Sequence, residues 1–245
     1  PVLKRILERI TGNTSFYRSP TDMGVNRAGF AITDDRIAGE AAKQEIIRRY
    51  FRYRCEYAMG FTDRETVQRV ELFVKDFKLE PEYRRVVAPA REAARLAEES
   101  KKGNEGIYCG AAIELKDGTI VVGNNSPLMH ASTALVINAI KHLAGIPAKI
   151  KLLPDYITES VSNLKTEVLR EKAVSLNLEE AFIALCISAK TNPAAQMALE
   201  SLKELRDCEM HITHIPTPGD EAGLRRLGVN LTSDPNFSSK DLFVF

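Results

Sequence analysis

At Ile107 the spacing of apolar residues changes, and that change limits what the chain can become. Before it, apolar residues recur every three to four positions over long stretches, the period of an amphipathic helix. After it, "IYCGAAIEL" and "TIVVG" flank Lys116-Asp117-Gly118, which reads as two short strands around a tight turn. Helical and strand-like segments then alternate to the end. A hairpin followed by helix–strand alternation predicts a mixed β-sheet with helices on both faces. The expected organisation is a helical subdomain or arm over 1–105 and an α/β domain with a mixed sheet over 106–245, with "KKGNEG" as the link.

Within the first part, "TDDRIAGEAAKQEIIRRYFRYRCEYAM" predicts a long helix with Thr33 or Asp34 as N-cap. "DRETVQRVELFVKDFKL" and "PEYRRVVAPAREAARLAEESKK" predict two more, the latter opened by Pro81 and kinked at Pro89. In the second part, "HASTALVINAIKHLAG" predicts a helix ending at Gly145. "KIKLL" predicts a short strand, "YITESVSNLKTEVLR" and "NLEEAFIALCISAK" helices, and "TNPAAQMALESLKELRD" a helix capped by Asn192 with Pro193 at its first position. "CEMHITHI" predicts a strand, "GDEAGLRRLG" a short helix and "VNL" an edge strand.

The totals exclude several classes. The chain of 245 residues is 44% hydrophobic and 27% charged, as in water-soluble globular domains. No apolar run approaches the roughly 20 residues that span a bilayer, so no membrane partner is expected. The charged start "PVLKRILERITG" lacks the apolar core of a signal peptide. Net charge is +1, with 21 Lys/Arg against 17 Asp/Glu in residues 1–105 and 13 against 16 in the rest. No global field draws the chain to nucleic acid. "RRYFRYR" interleaves Arg48, Arg49, Arg52 and Arg54 with Tyr50, Phe51 and Tyr53, and on a helix this reads as an apolar face with a charged rim. Cys55, Cys109, Cys186 and Cys208 form no CxxC pair, which argues against a cysteine-based zinc site and for a reducing cytoplasm.

Four clusters carry candidate chemistry. In "GNNSPLMHAS", Asn124, Asn125, Ser126 and His130 gather where a strand leads into a helix. Backbone N–H groups there can bind an anion, and the same residues also suit closing a turn and starting the helix. In "HITHIPTPGDEAGLRRLG", His211 and Thr213 should face one side of a strand and His214 the other. His214 then sits near the strand's C-terminal end with Thr217, Asp220 and Glu221 just beyond. A histidine with nearby carboxylates suits acid–base work, while the same three residues suit helix capping. His214, His130 and Asp220 are the catalytic candidates. Ser19, Thr21, Asp22 and Asn26 crowd one glycine-containing loop, which reads equally as a site or a connection. Asn192 is a further ligand-binding candidate and also an obvious cap.

A hairpin followed by a helix that begins beside a histidine is also the layout of zinc deaminases. That chemistry needs H-x-E to move the proton and P-C-x-x-C to supply thiolates. Here the triplet is His130-Ala131-Ser132 and the later helix opens "TNPAAQ". The layout is deaminase-like, but the metal ligands and the proton shuttle are missing, and no metal is expected.

The strings "SPTDMGVN", "EAAKQEIIRRY", "GNNSPLMHASTALVINAIKHLAGIP", "SLNLEEAFIALCISAKTNPAAQ" and "MHITHIPTPGDEAGLRRLGVNLTSD" together resemble the bacterial family called domain of unknown function 1846, or uncharacterised protein family 0371. The resemblance covers essentially the whole chain. It implies a match to the C-terminal half of proteins about twice as long, whose N-terminal half carries a glycine-rich stretch like a phosphate-binding loop. No G-x-x-x-x-G-K-[ST] occurs here, so that chemistry is not carried over. Some members bear the label of ATP-dependent peptidases, but no nucleophile–base motif in this chain supports it.

Together with a helical pattern that starts at once (Val2, Leu3, Ile6, Leu7, Ile10), the resemblance sets the expectation of a fragment of a cytoplasmic protein. Its polar loops would contribute to a nucleotide or phosphometabolite cleft completed by an absent N-terminal half. The alternative is a non-catalytic oligomerisation or ligand-binding module. Expected partners are a second copy of the chain, the absent half and a small-molecule ligand. No cofactor is expected to be held by this chain alone.

Overall fold

The computed structural model describes residues 9, 10, 12, 35–171 and 174–238. Two compact units divide the chain, Pro1–Glu45 and Ile46–Phe245. Helix α1 runs over Asp35–Ala58; the expected caps Thr33 and Asp34 lie outside the described residues. In the second unit follow α2 (Arg64–Asp76), α3 (Val87–Glu99), the hairpin β1 (Gly110–Glu114) and β2 (Ile120–Asn124), α4 (Ala131–Leu143), α5 (Asp155–Asn163), α6 (Leu178–Ser188) and α7 (Pro193–Ser201). After these come β3 (Glu209–Ile212), α8 (Pro218–Leu227) and β4 (Asn230–Ser233).

The four strands among the described residues form one sheet in the order β2-β1-β3-β4. β1 is antiparallel to β2 and to β3, while β3 and β4 are parallel and joined through α8. This is the mixed sheet flanked by helices that the hydrophobic pattern implies. Alternation along β1 divides the two faces. Ala111 and Ile113 enter the main core with Leu135, Val136, Ala139 and Ile140 of α4. Ala112 faces the other way, onto Val86 and Ala90 at the start of α3. Burying each large aliphatic chain contributes about 1.5–3 kcal/mol.

Both helices approach the sheet at backbone distance, and a glycine permits it on each face. A Cβ on Gly110 would lie 2.1 Å from the Ala90 carbonyl oxygen, and one on Gly123 would lie 2.4 Å from the Leu135 nitrogen. At the outer rim of β2, the Asn138 amide of α4 donates to the Val122 carbonyl at 3.0 Å.

Three local expectations are corrected. "KIKLL" is not a strand. Leu152 and Leu153 are both buried in succession, and two carbonyls there are taken by side chains, Leu152 by Ser188 and Lys151 by Asn192. Pro89 does not kink a long helix. The segment from Pro81 opens as one 3-10 turn, and α3 starts afresh at Val87. Pro89 thus falls in the first turn, where its missing N–H has no partner to lose. The helix after Pro154 does not run unbroken either, since α5 passes at Leu164 into a π turn, Leu164–Val168, where Lys165 is buried.

Candidate functional site

The ends of the strands collect at one rim of the sheet. β3 and β4 deliver Thr213, His214 and Asp234 there, and antiparallel β1 and β2 bring Cys109 and Asn124 to the same rim. In open α/β sheets, ligands favour the C-terminal ends of parallel strands.

His130 is the N-cap of α4, with extended backbone (φ −66°, ψ 160°), yet its side chain makes no capping bond. The backbone just before it is pinned by Leu176, which accepts from the His130 N–H and donates to the Leu128 carbonyl. The ring is thereby free to reach Asp220, 90 residues away, with Nδ1 2.7 Å from Oδ2. Asp220 is fully buried in the first turn of α8. Its Oδ2 also accepts from the Thr217 hydroxyl at 2.8 Å, and its Oδ1 accepts from the Leu178 N–H at 2.9 Å. The Ser132 hydroxyl, buried and without a well-aligned partner, stands beside the same carboxylate. Burial works to raise the Asp220 carboxyl, but the His130 hydrogen bond and charge, with the Thr217 and Ser132 hydroxyls, hold it below the ordinary carboxylate value. An ionised acceptor fixes the proton of neutral His130 on Nδ1, which leaves Nε2 as the basic nitrogen.

The imidazole lines a cavity of about 200 Å³, together with Ser126, His214, Thr217 and Asn125. His214 is 4% exposed, and its Nδ1 is buried without a hydrogen-bond partner. Burial pushes His214 down to about 4; the Asp220 charge pulls the other way and the His130 charge adds to the fall. An unfolded chain takes up this proton near 6.5, so acidification between those values favours unfolding. Stability should fall by about 3 kcal/mol as pH drops through that window. His211, also lowered by burial, acts in the same direction. Urea unfolding at several pH values should show a shallower loss in His214→Asn, and an unchanged slope would refute this account.

The structure brings His130, His214, Asp220, Ser126 and Thr217 to one place. Other candidates serve local ends. Asn125 braces the hairpin by accepting from the Cys109 N–H and donating to the Ile107 carbonyl, while still lining the cavity. Asn124 donates to the Lys102 and Asn125 carbonyls. Asn192 caps α7, accepting from the Ala194 N–H, and lies in neither rim cavity. Glu221 pairs with Arg225 on the surface. Ser19, Thr21, Asp22 and Asn26 lie outside the described residues. The alternation expected of "HITHI" stops early: β3 ends at Ile212, and His211 packs its ring 4.8 Å from that of Phe51 while bonding Thr232.

Sequence reasoning passed over the ion pairs behind the rim. Arg91 grips Asp234 with two nitrogens, at 2.7 and 3.1 Å, and Asp234 stands 3.5 Å from His211 Nε2. Arg84, 1% exposed, bonds Glu209 and the carbonyls of Met210 and Asn230. Nothing in "YRRVVAP" separates buried Arg84 from its exposed neighbour Arg85. Among the described residues no group of three or more His, Cys, Asp or Glu is placed to hold a metal ion, and no helix is long and apolar enough to cross a membrane.

The chain is thus a helix-flanked α/β protein with a carboxylate-held histidine at the rim of its sheet. It belongs to the family described as domain of unknown function DUF1846. The model of that family's C-terminal domain matches residues 82–243, and that of its N-terminal domain matches residues 1–78. It is 49% identical over 243 residues to a UPF0371 protein of Clostridium botulinum strain Alaska E43 / Type E3, which covers 99% of this chain and 48% of that protein. It is 48% identical over 244 residues to a UPF0371 protein of strain Kyoto / Type A2, with the same coverage. The chain therefore spans about half the length of the curated relatives it matches. The N-terminal-domain match overturns the expectation that the chain represents the C-terminal half alone. The expectation of an absent N-terminal half as partner falls with it, and with that one ground for expecting a fragment.

Proposed function

We propose that the rim cavity is a small-molecule site where His130, oriented by Asp220, transfers protons on a nucleotide or other phosphorylated metabolite. One observation carries this reading. The 2.7 Å contact commits Nδ1 to a buried carboxylate and leaves Nε2 as the working nitrogen of a residue that lines a cavity. In this arrangement Nε2 accepts a proton from the bound molecule, Asp220 stabilises the imidazolium, and the proton returns to the product. The position beside the parallel pair β3–β4 supports a ligand. The hairpin-then-helix order is the part of the deaminase likeness that enters the reading; its chemistry does not. Three buried cysteines kept as thiols support a reducing, cytoplasmic setting.

The chain has four histidines, so imidazole proton NMR can follow each. Added adenosine monophosphate or ribose 5-phosphate should move the His130 resonance, and binding of the same compound, read from its own phosphorus signal, should weaken in His130→Gln. A His130 signal unmoved by every phosphorylated compound tried would reject the reading. A non-catalytic module has its own support, because the Asp220–Leu178 bond lets the same carboxylate tie α8 to α6. On that reading His130→Gln lowers stability and leaves ligand binding intact.

A further inference from the structure

The cavity at His130 is small. Sites that enclose a metabolite-sized ligand run to about 300–1,000 Å³, whereas this one holds about 200 Å³, room for the reacting end of a molecule only. A second cavity of about 570 Å³ adjoins it. Ile107, Cys109 and His214 line both, so the partly buried wall of one is the wall of the other.

The second cavity differs in chemistry. Tyr108 and Phe237 give it aromatic surface, and Arg91 and Arg95 give it planar guanidinium groups. The tyrosine is firmly seated. A Cβ on Gly103 would lie 2.6 and 2.8 Å from two of its ring carbons, so the ring rests directly on glycine backbone. The cations are already answered, Arg91 by Asp234 and Glu82, and Arg95 by Glu92 and Glu99. Paired guanidinium planes still stack on flat rings, but they are not free to neutralise a phosphate. What remains unmet is the buried Nδ1 of His214, a nitrogen that burial keeps uncharged at neutral pH. Such an atom calls for a partner, and a neutral hydrogen-bonding edge supplies one without adding charge.

The geometry points to a nucleobase site: the larger cavity takes the flat, uncharged base of a nucleoside or nucleotide against Tyr108 and Phe237, and the rest of the molecule passes His214 toward His130. The first part stands on this cavity alone; the second rests on the proton-transfer reading of His130. Base–aromatic stacking tolerates any base, so selectivity falls to the polar atoms at His214 and Asn236.

Saturation-transfer NMR tests it with adenosine, guanosine, cytidine, uridine and ribose 5-phosphate, on the wild-type chain and on Tyr108→Leu, Asn236→Ala and His130→Gln. At least one nucleoside should bind the wild type. It should bind Tyr108→Leu about tenfold more weakly, as expected when one stacking surface is lost. Asn236 is exposed, so Asn236→Ala serves as the second probe of the cavity should Tyr108→Leu fold poorly, and it should change the preference among bases. The base site is overturned if no nucleoside binds the wild type, or if binding is unchanged in both cavity variants. Ribose 5-phosphate binding that is lost in His130→Gln, with no nucleoside bound, would overturn it and leave the His130 reading standing. Nucleoside binding lost in Tyr108→Leu with a silent His130 resonance would uphold it and overturn that reading instead.

Discussion

Asp220→Ala should cost about 3–5 kcal/mol of folding stability, the loss expected when one partner of a buried charged cluster is removed. The carboxylate is fully buried and receives donors from three segments: the His130 ring at the start of α4, the Leu178 N–H at the start of α6, and the Thr217 hydroxyl at the start of α8. Alanine leaves all three unanswered, and the Leu178 N–H opens a helix from which it has no internal acceptor. Asp220→Asn keeps an oxygen for Leu178 but turns an amide toward two donors, so its loss should be about half as large. Urea unfolding followed by far-ultraviolet circular dichroism measures both, since the chain has no tryptophan to report by fluorescence. Equal, small losses below about 1 kcal/mol would show that the carboxylate does not join these helices.

Arg84→Met should cost about 3 kcal/mol, again mainly through what it strands. The guanidinium reaches the Met210 carbonyl at 3.1 Å and the Asn230 carbonyl at 2.9 Å, one on each strand of the parallel pair, and it also bonds Glu209. Glu209 keeps Arg48 at 2.6 Å, so its charge is not left alone; the two strand carbonyls are. Burial works to lower the Arg84 pKa, and the Glu209 carboxylate opposes it. A lysine carries the charge but not the planar fork, so Arg84→Lys should recover only part of the loss. In a unit of this size the methionine variant should melt about 10 °C lower. A lysine variant as stable as the wild type would show that charge alone suffices.

Much of the second unit was legible because local chemistry and tertiary packing agree there. Lys116-Asp117-Gly118 turns the hairpin, with Gly118 at φ +84°. Gly145, at φ +64°, follows the end of α4, and Asn192 with Pro193 starts α7 as their types require. The failures fall where a partner distant in sequence decides the outcome. "KIKLL" has strand composition, but side chains from α6 and from the start of α7 claim its carbonyls. His130 and Asp220 each stood out beside a helix start, yet nothing local says that a residue at position 130 meets one at 220. That contact is made by the β3–α8 connection, which carries Asp220 back across the rim. Arg84 was invisible for the same reason, because its acceptors belong to strands formed more than 120 residues later.

The order β2-β1-β3-β4 leaves β2 as an outer strand only five residues long. An outer strand offers a row of unused donors and acceptors to any passing chain, and aggregation begins by lengthening such a sheet. On β2 this opening is partly closed from within. Asn138 reaches down from α4 and occupies the Val122 carbonyl, the place where an added strand would have to donate. A newcomer must evict a side chain anchored on a well-packed helix before it can register, so the sheet resists growth on that side at the expense of one amide rather than of a covering loop.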